Sequence, residues 1–403
     1  MEAVKAEHCF DGERFLAGGA TVLVEDGLIA GLEPLAYDVP DDVEVTTYGG
    51  TLLPGLIDAH VHLVAEGTRP GSAGSLELTG TLEDEGVDAA ISRSLAAQAA
   101  AGVTTVRDLG DTRYRTLHAR DRRTPGEPRI VAAGPPLTVV GGHCHYLGGA
   151  VEGVDAVRAA VRERIEHGVD LVKVMAGGGM LTVGTDLFGV QFTAEEVRAA
   201  VEETHAAGLR IVAHCHSEAG ARHAMAAGVD GLEHATMLTE QGVSVPDDLI
   251  DAIAAAGVTL DPTLGFDPEK VLPIELAPPQ IQALVGRLGF TPIEVSQRRA
   301  GQLARVREAG IRVVSGLDAG VTPPKPHGGL WRAIVQLRDA GFSTTEVLAT
   351  ATSTAADDCG LGRTTGRLAP GLSADLLVVD GDLATDVTML GRPIDVRVRG
   401  TLV

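Results

Sequence analysis

The chain has 403 residues, too many for one small hydrophobic core, which favours a large α/β domain with a smaller companion. Its formal net charge of −22 and its aromatic content of 3% argue against a nucleic-acid or anionic-lipid binder, which needs a basic surface or stacking platforms. Four scattered cysteines without a CxxC pair argue against a disulfide framework or a zinc-finger array.

The first stretch of the chain, MEAVKAEHCFDGERF, carries charges throughout and lacks the apolar core of a signal peptide. The sequence also lacks a run of about 18 apolar residues that could span a membrane. We therefore expect a cytoplasmic protein that acts on a small-molecule substrate, without nucleic-acid or membrane partners.

Both ends of the chain carry hairpin signals. Residues 1–54 contain short apolar runs broken by Asp-Gly and Gly-Gly pairs. The same pattern returns in GRLAPGLSADLLVVDGD and PIDVRVRGTLV near the other end. We predict that the two ends pair into one discontinuous β-sandwich domain, residues 1–54 and 367–403.

Residues 55–366 alternate β-rich runs with Ala/Glu/Arg stretches of helical period, such as DAVRAAVRERIEHG. Eight such runs predict a (β/α)8 TIM-type barrel. A doubly wound sheet is the alternative, but the count of eight and the placement of polar residues favour the barrel. The prolines of PEKVLPIELAPPQ predict a loop over the barrel mouth. The eight runs are TLLPGLIDAHVHL, VTTVRDLG, PRIVAAG, VDLVKVMAGGG, LRIVAHCH, DGLEHA, VTLDPTL and IRVVSGLDAG.

Polar side chains recur where these runs end, the position of catalytic groups in a barrel. Each has an ordinary structural interpretation alone, but their joint placement predicts a site. Imidazoles and carboxylates suit zinc or a similar divalent ion. A buried lysine is unfavourable beside metals unless its amine takes up carbon dioxide and becomes an anionic carbamate. That carbamate would bridge two ions about 3.5–4 Å apart. The residues are His60, His62, Lys173, His214, His216, Glu233, His234 and Asp318.

Stretches spanning nearly the whole chain resemble the amidohydrolase superfamily, in its metal-dependent prolidase-like and imidazolonepropionase-like branch. The resemblance is carried by GTLLPGLIDAHVHL, GVDLVKVMAGGG, residues 191–238, SGLDAG and GRLAPGLSADLLVVDGD. It implies that His60 and His62 hold one metal and that His214 and His234 hold the second. Lys173, as N6-carboxylysine, would bridge two divalent ions, expected to be zinc.

The same resemblance implies further roles near the metals. Asp318 would bind the first metal and carry a proton from the bridging hydroxide to the leaving group. His143 would contact the substrate. His145 lies two residues beyond His143, and His216 lies two residues beyond His214, so each could face the same pocket as its neighbour. For both, a contact with the substrate and a packing role are equally possible interpretations. The resemblance also implies a homo-oligomer.

The expected reaction is attack of a metal-bridging hydroxide on an amide bond. A dipeptide, an N-acyl amino acid or a related carboxylate-bearing amide is favoured as substrate. Lys325 and His327 are candidates for gripping the carboxylate. The segment HATMLTEQG lacks the tyrosine that relatives often carry there, which weakens the transfer of dipeptidase specificity.

Three alternatives stay open. One is a hydrolase of cyclic amides or lactones. Another is a mononuclear deaminase, although the deaminase glutamate three residues after the fifth-strand histidine is replaced by Ser217, with Glu218 one residue later. The third is a scaffold protein that kept the fold.

Three features next to the predicted site have structural interpretations. We predict that Cys215 packs in the barrel and that Asp108 orients a ligand or closes a turn. The AGGG segment, residues 176–179, is expected to let the backbone approach the site.

Overall fold

The computed structural model describes residues 1–69, 71–289 and 292–403, without the side chains of residues 292, 293 and 295–298. The strands are β1 (Glu2–Phe10), β2 (Phe15–Leu16), β3 (Ala20–Glu25), β4 (Leu28–Pro34), β5 (Glu44–Pro54), β6 (Leu56–Val61), β7 (Val103–Asp108), β8 (Arg129–Ala132), β9 (Leu171–Met175), β10 (Arg210–Ser217), β11 (Gly231–Thr239), β12 (Gly242–Val243), β13 (Thr259–Asp261), β14 (Leu376–Val379), β15 (Pro393–Val398) and β16 (Thr401–Leu402).

Helices connect most of the central strands. The α-helices are α1 (Asp84–Ala100), α2 (Arg115–Arg122), α3 (Val154–His167), α4 (Ala194–Ala206), α5 (Glu218–Ala227), α6 (Asp247–Ala256), α7 (Pro279–Leu288), α8 (Pro292–Glu308), α9 (Trp331–Asp339), α10 (Thr344–Thr350) and α11 (Ser353–Asp358). Short 3-10 helices span Leu76–Thr81, His145–Leu147, Pro268–Lys270, Ile274–Leu276 and Val387–Gly391. Among the described residues, the helices are too short or too polar to cross a membrane.

One sheet joins strands from the two ends of the chain. Its order is β16-β15-β14-β5-β1-β3-β4, with β2 paired to β1. Inward-facing side chains such as Val4, Val22 and Leu376 form an apolar core of their own. Strand β5 begins half exposed and becomes fully buried from Gly50 onward, because its end enters the central part of the molecule.

The central strands pair in parallel and are buried over nearly their whole length, as expected when both faces of a sheet are covered. Ladders join β6-β7-β8 and β9-β10-β11-β13. The amide of Leu137 donates to the carbonyl of Lys173 and so connects the segment after β8 to β9. Parallel bridges then link Leu260 to Val313 and Val61 to Ala319. The pairings therefore return to β6, where they began.

Two of the predicted β runs are shorter or less regular than the sequence suggested. VTLDPTL forms a strand only over Thr259–Asp261, because Pro262 has no amide proton to donate and Thr263 adopts a positive φ of 44°. The segment 311–320 pairs through single bridges, since Asp318 also has a positive φ, of 62°. This irregular backbone lies next to the candidate site.

The segment with the predicted mouth loop is partly helical. Pro279 occupies the first turn of α7, a favoured position because proline has the required φ and lacks a proton that would go unbonded there. Leu284 of α7 packs with Leu187 and Leu238, and Gln280 donates to the carbonyl oxygens of Gly179 and Thr185, both at 3.1 Å. Helix α7 is therefore fixed to the loop that follows β9. Residues 290 and 291, between α7 and α8, lie outside the described residues.

Candidate metal centre

A cavity of about 150 Å³ lies where the central strands end. Every predicted metal ligand lines it, together with His143 and His216. The polar residues on its wall are His60, His62, His143, Lys173, His214, His216, His234, Thr236, Thr263, Arg299, Asp318, Thr322 and Lys325.

The first candidate group consists of His60, His62 and Asp318. Alternate residues of an extended strand point to the same side, so both imidazoles face the cavity. Each Nε2 atom lies 3.5 Å from the Asp318 Oδ1 atom. The Nδ1 atoms are occupied: His60 donates to Glu233 Oε2 at 2.7 Å, and His62 donates to the Gly110 carbonyl at 2.9 Å. Both Nε2 lone pairs are thereby left for a cation.

Asp318 reaches this group through its unusual backbone. Its positive φ of 62° is tolerated better by aspartate than by most residues. Its amide donates to the carbonyl of His60 at 2.8 Å, which ties the two residues together. Gly316 must lack a side chain, because a Cβ atom there would lie 2.1 Å from Asp261 Oδ2 and 2.5 Å from His60 Cβ.

The second candidate group consists of His214, His216 and His234, whose ligand atoms lie within 4.8 Å of one another. His234 Nδ1 hydrogen-bonds Thr263 Oγ1 at 2.9 Å, and His216 Nδ1 hydrogen-bonds Thr236 Oγ1 at 3.0 Å. His214 instead donates from Nε2 to the Gly178 carbonyl at 3.2 Å, so the lone pair on its Nδ1 atom is the one available to a metal ion. His216 thus belongs to this group by geometry, although the sequence left its role open.

Burial keeps these imidazoles neutral. Desolvation lowers the pKa of His60 and of His62, and it lowers the pKa of His214 and His234 well below the usual value. The pKa of His216 falls to about 3 for the same reason. Neutral imidazole is the form that binds metal, so the histidines are ready to act as ligands.

Among the described residues that line the cavity, Lys173 is the one with a buried side-chain polar atom that lacks a hydrogen-bond partner. It lies in β9 and is 1% exposed, and within the described residues its Nζ atom has no hydrogen-bond partner. Desolvation lowers its pKa. Its charge also acts on every histidine of both groups, lowering the pKa of each, so it lies close to all of them. A buried, unpartnered amine among ligand histidines fits conversion to an anionic ligand.

Sequence reasoning missed a buried network beneath the first group. Arg107 donates to the Ala59 carbonyl at 2.8 Å, to Asp358 Oδ2 at 2.7 Å and to Glu233 Oε1 at 3.4 Å. Glu233 in turn holds His60, and it forms a further buried cluster with His60 and Asp261. A charged residue inside an otherwise apolar strand, as in TTVRDLG, was the available signal.

Asp108 acts on the site through the backbone. Its carboxylate accepts from the amides of Leu63 at 2.7 Å and Gly110 at 3.1 Å. The carbonyl of the same Gly110 accepts from His62. Asp108 therefore fixes the loop that orients His62, without contacting the imidazole.

Other predicted residues separate into those inside the cavity and those outside it. His143 lines the cavity, and its Nδ1 atom hydrogen-bonds Thr182 Oγ1 at 2.9 Å. His145 is exposed, bonds the Gly142 carbonyl and does not line the cavity, a placement that does not support substrate contact. Cys215 is buried away from the cavity, in agreement with a packing role. His327 also lies off the cavity, whereas Lys325 lines it.

The donor set fits divalent metal ions. Two adjacent groups offer neutral imidazoles and one carboxylate, with the remaining ring nitrogens of the first group held by protein acceptors. Such nitrogen and oxygen donors suit zinc and similar ions.

Comparison with known proteins identifies relatives over most of the chain. A family model described as Amidohydrolase family matches residues 51–403. An uncharacterised protein of Mycobacterium tuberculosis is 31% identical over 362 residues, covering 87% of this chain and 85% of that protein. Ochratoxinase of Aspergillus niger is 25% identical over 417 residues, covering 93% and 80%.

An imidazolonepropionase of Salinispora tropica is 26% identical over 377 residues, covering 90% of this chain and 86% of the relative. Among solved structures, a Xaa-Pro dipeptidase with bound methionine in its active site superposes with a TM-score of 0.85. It is 25% identical, and the match covers 100% of this chain and 99% of the dipeptidase.

Proposed function

The chain belongs to the amidohydrolase family, in the branch of prolidase-like and imidazolonepropionase-like enzymes, and we propose that it is a binuclear metal-dependent hydrolase of amide bonds. The family membership is the one predicted from the sequence, and it makes a hydrolase the general assignment. The finer proposal is a peptide-like amide with a carboxylate, as in dipeptides and N-acyl amino acids. Relatives named as Xaa-Pro dipeptidase and ochratoxinase support this choice.

The central strands are proposed to form a (β/α)8 TIM-type barrel over residues 55–366. The closed order of parallel pairings that starts and ends at β6 supports it. The sheet built from both chain ends supports a smaller domain from residues 1–54 and 367–403, proposed as a β-sandwich.

We assign one divalent ion to His60, His62 and Asp318, and a second to His214 and His234. Carbon dioxide would add to the neutral amine of Lys173, with loss of one proton, and the resulting carbamate would serve both ions. Bound there, the ions would polarise the scissile carbonyl and lower the pKa of a water molecule. The observation that carries the proposal is the buried, unpartnered Nζ atom of Lys173 beside both histidine groups.

The remaining chemistry falls to side chains on the cavity wall. Asp318 would take the proton of the attacking water and pass it to the leaving nitrogen, since its carboxylate is the part of the first group that reaches solvent. His143 would donate to the substrate carbonyl from Nε2, because Thr182 already occupies its Nδ1 atom. His216 stays a candidate for substrate contact or for the second group.

The deaminase alternative loses support from the residues that follow the fifth central strand. Ser217 caps α5 by accepting from the Gly220 amide at 2.9 Å, so it is committed to the helix. Glu218 pairs with Arg222 at 2.8 Å and does not line the cavity. Neither side chain is placed to shuttle a proton.

The scaffold alternative would regain support if the folded protein bound no divalent ion.

A hydrolysis screen of the zinc-loaded protein tests the proposal. The screen covers dipeptides, N-acyl amino acids, aromatic amides and lactones, with metal content measured in parallel. We expect amide hydrolysis with about two ions per chain, whereas one ion per chain and ammonia release from a nucleobase-like substrate would point to the deaminase. Lactone turnover without amide turnover would point to the other hydrolase alternative.

Lys173→Ala is the decisive variant, and Lys270→Ala, on the exposed 3-10 helix Pro268–Lys270, is its matched control. We expect Lys173→Ala to lose hydrolysis and metal, and the control to keep both. Reactivation of metal-stripped parent protein with zinc should also improve with added bicarbonate. A Lys173→Ala protein as active as the parent would refute the carbamate.

Zinc as native metal, the homo-oligomer and the cytoplasmic location stay predictions.

A further inference from the structure

Two cations on the cavity wall, Arg299 of α8 and Lys325, have no role in the proposed metal chemistry. Both are at least nine-tenths buried, with 8% and 7% exposure. Lys325 donates to the carbonyl oxygens of Thr263 at 2.7 Å and Leu317 at 2.8 Å. Arg299 donates to the carbonyl of His234. Through Thr263, which also bonds His234, the two cations are anchored to the second histidine group.

Neither cation has a carboxylate partner among the described side chains. The ion pairs of the neighbouring loop go elsewhere, because Asp267 pairs with Lys270 at 3.9 Å and with Arg332 at 3.3 Å. Asp318 is the one carboxylate among the described residues of the cavity wall, and it lies on the first histidine group. Burial lowers the pKa of Lys325 and of Arg299, while Asp261 acts on both in the opposite direction from beyond ion-pair distance. Neither cation is paired directly with a described carboxylate, so both are available to an anion in the cavity.

The two positive charges act together. Arg299 lowers the pKa of Lys325, which puts the two head groups within electrostatic reach of each other. Burial lowers the pKa of Arg299 to about 10, so the guanidinium keeps its positive charge at neutral pH.

The cavity wall also carries several apolar side chains. Phe266 lies under Lys325, with the ring centroid 5.2 Å from Nζ. Ile281 and Leu284 of α7 and Leu181 of the loop after β9 complete the wall. An occupant must therefore combine an anionic head with an apolar body.

We infer that Arg299 and Lys325 form a carboxylate subsite that holds the carboxylate of an amide substrate while its apolar side chain packs on Phe266 and α7. The inference rests on the proposed function and adds the substrate's polarity and its orientation to it. Planar carboxylate suits the fork of arginine N–H groups and adds the point charge of lysine.

Binding of two probes to the zinc-loaded protein tests the subsite by calorimetry. The probes are 3-phenylpropanoate and its neutral analogue 3-phenylpropan-1-ol, neither of which contains a hydrolysable bond. We expect the acid to bind the parent protein about tenfold or more tightly than the alcohol, as a charge-assisted hydrogen bond implies. In Lys325→Met and in Arg299→Gln, the affinity for the acid should fall about tenfold while that for the alcohol stays unchanged.

Matched controls are Lys270→Met and Arg305→Gln, the latter a partly exposed arginine on α8, and both should keep the preference for the acid. Lys325→Arg, which keeps the charge, should restore part of it. Equal losses for acid and alcohol would mean a structural role, and an unchanged affinity for the acid would place its carboxylate elsewhere, on the metal ions for example. Either outcome overturns the inference. Because the probes are not hydrolysed, failure of the hydrolysis screen and failure of the subsite remain distinguishable.

Discussion

At the scale of single residues, the site depends on groups that hold the ligands from behind. His60 and His62 could face the cavity in several orientations, but Glu233 and the Gly110 carbonyl occupy their Nδ1 atoms. Glu233 is itself bound by Arg107, so a series of buried charged groups runs from Arg107 through Glu233 to the imidazole of His60. Such supporting partners commonly set the affinity of a metal site as strongly as the ligands do.

Glu233→Gln should therefore weaken zinc binding without removing a ligand. The neutral amide bonds His60 less strongly and leaves Arg107 short of one counter-ion, so we expect the dissociation constant for zinc to rise about tenfold to 100-fold. Competition with a fluorescent chelator measures it. Glu240→Gln, in an exposed pair with Arg287 just beyond β11, is the control. Equal zinc affinity in parent and variant would remove Glu233 from the metal site.

At the scale of elements, the strands around the cavity depart from regular geometry. The pairing of β6 with β7 has register shifts, and the non-glycine residues with positive φ include His234 within β11, Thr263 just after β13, and Asp318. Backbone strain of this kind is characteristic of functional sites, where the surrounding structure imposes it. The loop after β9 also approaches the site closely. The carbonyl of Gly178 accepts from His214, and Gly179 faces the ring of His143.

Gly179→Ala tests how closely this loop approaches the site. A Cβ atom at Gly179 would lie 2.1 Å from His143 Cε1, so the imidazole must move. We expect hydrolysis to fall by about 100-fold with zinc content unchanged, because His143 is not a proposed ligand. In the control Gly286→Ala, the Cβ atom of α7 meets open space and stability should rise by up to about 1 kcal/mol. Full activity of Gly179→Ala would argue against a role for His143.

Helix α10 offers a test of stability against pH. Ser343 and Glu346 form its capping box, and Glu346 also pairs with Arg307 at 2.9 Å. These contacts lower the pKa of Glu346 from 4.5 to about 2 against the effect of desolvation. The folded state thus favours the ionised carboxylate, and its contribution is full above about pH 4.5 and lost as the pH falls towards about 2.

Glu346→Gln should therefore lower the Tm at pH 7, and the difference from the parent should shrink as the pH falls below about 4.5. Thermal unfolding between neutral and acidic pH measures it. Glu308→Gln, a change at an exposed neighbour of Arg307, should have little effect at any pH. A Tm difference that stayed constant with pH would mean that the ion pair and the cap contribute nothing through charge.

At the scale of the whole molecule, the candidate ligands come from strands far apart in the sequence, from His60 in β6 to Asp318 beyond β13. They meet only when the parallel pairings close. Metal binding should therefore be coupled to folding of the whole central unit, because the unfolded chain cannot assemble either group.

Removal of metal should lower the thermal stability of the entire central unit. Zinc at about 100 times its dissociation constant would add about 2.7 kcal/mol per ion to the free energy of unfolding. Differential scanning calorimetry of zinc-loaded and chelator-treated protein measures the shift in Tm. The double variant His62→Ala/His234→Ala should show no zinc-dependent shift. Identical Tm values for loaded and stripped parent protein would contradict the coupling.

The sequence by itself determined the family and most of the polar residues on the cavity wall. Histidines two residues apart in an extended run share a side, and a lysine inside the apolar run VDLVKVMA is a candidate for burial that could also have turned outward. Those patterns are local, so they can be read before the chain is folded. The same local reasoning left His145 and His216 equivalent, because both lie two residues from a predicted site histidine.

Only the tertiary structure separated these two and revealed the supporting groups. His145 lies in a 3-10 turn rather than in a strand, so the alternation that carries His216 into the cavity does not apply to it. Arg107 and Arg299, which the sequence did not single out, acquire their roles from Glu233 and His234, far away in the chain. Lys325 and Glu233 were candidates from the sequence, but their contacts with Thr263 and His60 also arise only from packing. Whether a buried charge has a counter-ion is a property of the packed molecule, and no spacing in the sequence encodes it.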